Sequence, residues 1–159
     1  MLTNVNLYFM ITNVNERRKL LMYQEISDAE WEVMRIVWTL EQAYTSDIIA
    51  ALKEKKDWSE STIKTLIRRL VNKELLASKK DGRKFIYSSL VSENQMINQS
   101  SEKLLAKMCD MHKGAAILKL LEDSPISKSD LIKIEKVVHS KLQTAPEVVA
   151  CNCLDKKMC

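Results

Sequence analysis

The chain has 159 residues, 46% of them hydrophobic, enough for one domain or two small ones with a buried core. Glycine and proline occur twice each, so tight turns and long loops are few and a mostly helical fold is expected. The formal net charge of +4 does not by itself establish a polyanion partner, and no apolar run approaches the ~18 residues of a membrane span.

Four parts follow one another. Residues 1–23 are an Asn-rich extension without helical period, and residues 5–11 lack the length and cleavage site of a secretory signal. Residues 24–91 carry strong periodic signals, residues 92–143 read as further helices, and residues 144–159 form a cysteine-rich tail. In the second part Ser27 is an expected N-cap, with Glu30 completing a capping box. Val33, Ile36, Val37 and Leu40 then recur at helical spacing, and Trp31, Met34 and Trp38 widen the apolar face. A second helix is expected to start at Thr45-Ser46-Asp47, followed by Ile48, Ile49 and Leu52. A third starts at Ser59, with Ile63, Leu66, Ile67, Leu70 and Val71 as its apolar stripe and an end near Lys73-Glu74. Leu75 to Lys80, an Asp81-Gly82 turn, and Arg83 to Leu90 read as a β-hairpin.

Three short helices followed by a hairpin are the plan of a winged helix-turn-helix. At ~100° per residue, Ser61, Thr65, Arg68 and Asn72 line up opposite the apolar stripe of the third helix, flanked by Lys64 and Arg69. Lys79, Lys80, Arg83 and Lys84 surround the hairpin tip. A helix of this polarity fits the major groove, and a basic wing beside it is the electrostatic footprint of duplex DNA. The bland alternative is a solvated basic face. Trp31, Trp38 and Trp58 are expected in the core rather than as base-stacking platforms. No phosphate loop, metalloprotease helix motif or nucleophile elbow is present, so the chain is not expected to be an enzyme.

In the third part, Ser92-Glu93 starts a helix bearing Ile97, Leu104, Leu105 and Met108. Ala115 to Leu121 is almost wholly apolar, and Ser127 opens a helix with Leu131, Ile134, Val138 and Leu142. These segments are too few to enclose a core alone, so pairing with a second copy is expected. Met108 and Cys109 read as packing residues.

Ile-Ser-Asp-Ala-Glu-Trp-Glu-Val-Met (26–34), Asp-Trp-Ser-Glu-Ser-Thr-Ile-Lys-Thr-Leu-Ile-Arg-Arg-Leu (57–70) and Gly-Arg-Lys-Phe-Ile-Tyr-Ser-Ser-Leu-Val (82–91) resemble the penicillinase-repressor family. That family includes the β-lactam-responsive and copper-responsive repressors of Gram-positive bacteria. The resemblance, over about residues 24–143, implies a winged-helix DNA-binding domain, a helical dimerisation domain, and a homodimer on a double-stranded operator of the TACA-two bases-TGTA type. It implies that Ser61, Thr62, Lys64, Thr65, Arg68 and Arg69 belong to the recognition helix, and Arg83 and Lys84 to the wing.

The tail is similar to that of the copper-responsive branch, which carries Cys-x-Cys, four residues, then Cys-x-Cys. Cys151 and Cys153 keep the first pair, Met158 stands at the third cysteine position, and Cys159 follows it. Thiolates are soft ligands suited to Cu(I) and acceptable to Zn(II). Three cysteines leave one place of a zinc tetrahedron for Asp155, His139 or a partner-chain cysteine, and Met158 suits Cu(I) better than zinc. The resemblance implies Zn(II) in the DNA-binding form and Cu(I) as inducer of copper-export genes, with a copper chaperone as a further partner. The β-lactam branch is switched by cleavage at an Asn-Phe bond, and no Asn-Phe stands near Lys103-Leu104. That branch, and a metal-binding protein that does not act on DNA, are the competing readings. Only four cysteines, three of them in the last nine residues, do not resemble a disulfide framework, so a reducing cytoplasm is expected.

Thr-Asn-Val-Asn occurs at both 3–6 and 12–15. Leu2 to Val5 can be encoded CTT-ACA-AAT-GTA, and Ile11 to Val14 ATT-ACA-AAT-GTA, each containing TACA-AA-TGTA. Glu16-Arg17-Arg18 can be GAA-AGG-AGG, a ribosome-binding sequence upstream of Met22. Translation from Met22, with residues 1–21 a misread operator region, is the expectation. The alternative is a real arm whose Arg17, Arg18 and Lys19 touch DNA.

Overall fold

The computed structural model describes residues 25–153. The readings placed on residues 1–24, including Met22, Arg17, Arg18 and Lys19, and those on Asp155, Met158 and Cys159, lie outside the described residues. The chain divides into two compact units between Gln99 and Ser100.

The first unit is a winged helix. Helix α1 (Asp28–Leu40) begins where expected: the Ser27 hydroxyl accepts from the Glu30 N–H, and the Glu30 carboxylate accepts from the Ser27 N–H at 2.8 Å. Val33, Met34 and Val37 are fully buried, whereas Leu40, at the last turn, is 48% exposed and lies outside the core. Glu41, at φ 60°, turns the chain into strand β1 (Gln42–Tyr44). Helix α2 (Thr45–Lys53) follows at once, with the Asp47 carboxylate accepting from the Tyr44 N–H at 2.9 Å. Ser59 caps helix α3 (Glu60–Asn72) by accepting from the Thr62 N–H, and Ile63, Leu66, Ile67 and Leu70 are buried. Met96 of helix α4 (Glu93–Ala106) also joins this core.

Helix α3 ends in a Schellman turn. The Leu75 N–H donates to the Leu70 carbonyl at 3.0 Å and the Glu74 N–H to the Val71 carbonyl at 2.9 Å, with Glu74 at φ 56° where glycine is usual. Strands β2 (Leu76–Asp81) and β3 (Lys84–Ser89) then form the wing. The turn sits one residue later than the sequence suggests: Asp81 pairs with Lys84, so Gly82-Arg83 are the central residues. Gly82 has φ +59°, which places glycine first in the turn as a type II′ hairpin requires. The sheet has three strands rather than two, because β1 pairs antiparallel with β3 in the order β1-β3-β2.

The tryptophans pack against the core as expected. Trp31 and Trp38 meet edge to face at 5.5 Å, and the Trp38 indole N–H donates to Ser89 Oγ and the Val91 carbonyl. The second unit contains the remainder of α4, helix α5 (Asp110–Asp123) and helix α6 (Lys128–Leu142), the last capped by Ser127. Neither α5 nor α6 has a buried side chain. No helix among the described residues is long and apolar enough to cross a membrane.

Glu30 is only 2% exposed and binds the Lys73 ammonium at 2.7 Å, joining the start of α1 to the end of α3. Burial alone would raise its carboxyl, but hydrogen bonds from Lys73 and the Ser27 N–H outweigh burial and hold it below the usual value. Its contribution to stability is therefore fully present above the unfolded value of about 4.3 and is lost as the pH falls through the lower folded value. Glu30→Gln is expected to cost about 1–3 kcal/mol in urea unfolding at neutral pH and to reduce the loss of stability on acidification. An unchanged acid limb would contradict this role. Glu74→Gly removes the left-handed strain and is expected to stabilise the protein by about 1 kcal/mol in the same assay.

Candidate DNA interface and thiol cluster

Burial of one side of α3 fixes what its other side presents. Ser61, Thr62, Lys64, Arg68 and Arg69 are exposed and Thr65 is half-buried. The Thr65 hydroxyl donates to the Ser61 carbonyl at 2.8 Å, so its oxygen remains available only as an acceptor. Lys64 lies 3.7 Å from Glu60, which also binds Lys53 at 2.9 Å. Such exposed pairs are worth at most about 1 kcal/mol and do not prevent Lys64 from engaging a phosphate.

The two arginines of α3 do not share one surface. Arg68 and Lys64 line a groove of about 290 Å³ together with Ser78, Phe85 and Tyr87 of the wing strands. Arg69 instead lines a shallow pocket with Glu25, Ser27, Glu30 and Lys73, at the flank where α1 begins. The wing-facing basic group therefore combines Lys64 and Arg68, and Arg69 stands apart from it.

Arg83 and Lys84 are exposed at the wing tip, and Lys79 and Lys80 on β2 are exposed beside them. Tyr44 is a residue that sequence reasoning missed here. Its hydroxyl donates to Asp81 Oδ2 at 2.6 Å and its ring lies 5.6 Å from the Lys84 ammonium, tying the wing to the root of α2. The carboxylate of Asp81 holds the Tyr44 phenol above its usual value. Its sequence signal was weak, because a three-residue strand has no measurable period.

A second cluster lies within the helical unit. The sulfur atoms of Cys109, Cys151 and Cys153 are all within 4.8 Å of one another. Cys109, expected to be a packing residue, is instead the half-buried N-cap residue of α5, with its Sγ 3.5 Å from Cys151 Sγ. Asn152, between the tail cysteines, accepts from the Asp110 N–H at 3.0 Å, and the Cys153 N–H donates to Cys151 Sγ at 3.4 Å. Hydrogen bonds from the Asn152 and Met111 N–H groups hold the Cys109 thiol below its usual value, whereas its sharing with Cys109 holds the Cys153 thiol above. Cys151 is disulfide-bonded, so a role for its thiolate belongs to the reduced protein. Tetrahedral zinc with bonds of about 2.3 Å sets thiolates roughly 3.8 Å apart. A donor set of three clustered sulfurs fits a soft metal ion. His139 is not among these clustered groups.

A buried-backed polar helix, a basic wing and the β1-anchored sheet define a winged-helix DNA-binding protein. The chain belongs to the penicillinase repressor family, whose profile matches residues 26–140. It is 43% identical over 133 residues to an uncharacterized 16.5 kDa protein of Latilactobacillus sakei, covering 84% of this chain and 91% of that one. It is 35% identical over 117 residues to the methicillin resistance regulatory protein MecI of Staphylococcus aureus, covering 74% of this chain and 95% of MecI. A structure of the CopR repressor is 43% identical and covers 43% of this chain and 100% of that one, with a TM-score of 0.38. As a member of this family the protein is a DNA-binding transcriptional repressor and not an enzyme.

Proposed function

We propose that the protein is a dimeric cytoplasmic repressor of copper-export genes that binds a TACA-NN-TGTA-type operator and responds to metal through its C-terminal cysteines. The observation that carries the metal-responsive part is the clustering of sulfurs around Cys151 and Cys153. Residues 24–91 serve as the DNA-binding domain, residues 92–143 as the dimerisation domain, and residues 144–159 as the metal-binding tail.

Ser61, Thr62, Thr65 and Arg68 face the operator from α3, while Lys64, Arg83 and Lys84 hold phosphates at its wing side. A two-fold dimer matches a palindromic operator, because each recognition helix then meets an equivalent half-site. Ile117, Leu118, Leu120, Val137, Val138 and Leu142 are each 50–68% exposed, which supports burial of α5 and α6 against a second copy. Cys151, Cys153 and Cys159 would hold Zn(II) in the DNA-competent form, and the Met158 thioether would suit Cu(I). Bound there, a metal ion would supply a cross-link between these thiolates, and a change in the ion they hold would alter the support given to the DNA-competent dimer. A useful switch requires a coupling of about 1–3 kcal/mol between the metal and DNA sites.

Arg68→Ala is expected to weaken operator binding by about 1–3 kcal/mol with thermal unfolding unchanged, and Arg69→Ala to weaken it less. Fluorescence anisotropy on a short duplex measures both, and equal losses would contradict the division between the two arginines. The metal response is tested by a gel shift with zinc-loaded, reduced protein to which Cu(I) is then added. Release of the duplex by Cu(I) is the expected result. A complex that persists would retain the repressor and move its signal elsewhere, with proteolysis next in line.

A further inference from the structure

We propose that Cys109 closes the metal site, so that the thiolates of Cys109, Cys151 and Cys153 together bind Zn(II) or Cu(I) at the N-terminus of α5. This inference rests on the metal-responsive function proposed above and adds to it a ligand from the folded helical unit.

The tail is short of the cysteines that its resemblance implies, since Met158 occupies the third position. The structure supplies a thiol from elsewhere: Cys109 lies 42 residues before Cys151, yet their sulfurs are 3.5 Å apart. Core filling does not explain the cluster, because Cys109 is half-buried and Cys153 exposed. The tail is also docked by a second, independent contact, the Asn152 side chain on the Asp110 N–H. That contact places the residue between the two tail cysteines on the first turn of a 14-residue helix.

Three thiolates around one divalent ion carry excess negative charge, and the N-terminal end of a helix offers partial positive charge to offset it. The Cys153 N–H on Cys151 Sγ adds a hydrogen-bond donor to a ligating sulfur. Metal bound in this way fastens the tail to the start of α5, so occupancy is felt by the helices that carry the exposed apolar faces rather than by the tail alone. Reduction of Cys151 is a precondition for ligation, and the test is therefore made on fully reduced protein.

The experiment is alkylation by iodoacetamide of the full-length reduced protein, with and without one equivalent of Zn(II), read by peptide mass mapping. Zinc is expected to protect Cys109 together with Cys151 and Cys153. In parallel, Cys109→Ser is compared with the parent in a chelator competition for zinc. Serine is a favoured N-cap, so α5 is expected to be retained by circular dichroism. The zinc affinity is expected to fall by about 100-fold or more, beyond the effect of losing an outer-shell partner. Protection of Cys151 and Cys153 but not Cys109, or an unchanged affinity in Cys109→Ser, would overturn the inference while leaving the metal response intact. Protection of none of the three would remove the metal response as well.

Discussion

Burial of Ile63, Leu66, Ile67 and Leu70 in the winged-helix core is the constraint on which the exposed polar face of α3 depends. Each such side chain contributes roughly 1.5–3 kcal/mol when removed from water, which is large beside a net stability of about 5–15 kcal/mol. The stripe cannot rotate outward without losing that stabilisation, so Ser61 and Arg68 on the same helix are held toward solvent. The Glu30–Lys73 pair locks the other end of the arrangement, joining the cap of α1 to the last turn of α3. The wing then emerges from the Schellman turn at Glu74 in a fixed direction, and Tyr44 ties its tip back to β1. Position of the basic groups is thus a consequence of apolar packing, with the charges themselves contributing little to the fold.

Elements governed by local chemistry were legible in the sequence. Ser27, Ser59 and Ser127 cap the helices they were expected to cap, because a hydroxyl that satisfies an otherwise unpaired N–H acts within three residues. The apolar stripe of α3 was legible for the same kind of reason, since 3.6-residue spacing identifies a buried face before any partner is known. The hairpin was legible but shifted by one residue: an Asp-Gly pair suggests a turn centred on both, and the observed turn places Gly82 first and pairs Asp81 with Lys84. Strand β1 was not legible, because its three residues gain their structure from pairing with β3, a partner distant in sequence.

Long-range proximity is also what hid Cys109. Alone in the middle of the chain it looks like a small apolar filler, and nothing local distinguishes it from Met108 beside it. Its meaning depends on the return of Cys151 and Cys153 to the N-terminus of α5, a contact across 42 residues that no periodicity encodes. The separation of Arg68 from Arg69 was hidden in the same way: adjacent on the helix, they are divided by the wing on one side and the start of α1 on the other. Helices α5 and α6 stand at the opposite extreme, legible as apolar segments but without buried side chains among the described residues.

The central claim is that α3 and the wing recognise a palindromic duplex. Its most direct test is equilibrium binding of the full-length protein to a duplex carrying TACA-AA-TGTA and to one of equal length with both half-sites scrambled, at two salt concentrations. The account predicts binding tighter on the palindrome by about 10³-fold or more, with both affinities falling as salt rises because the basic groups displace counterions. Equal affinity for the two duplexes would contradict it.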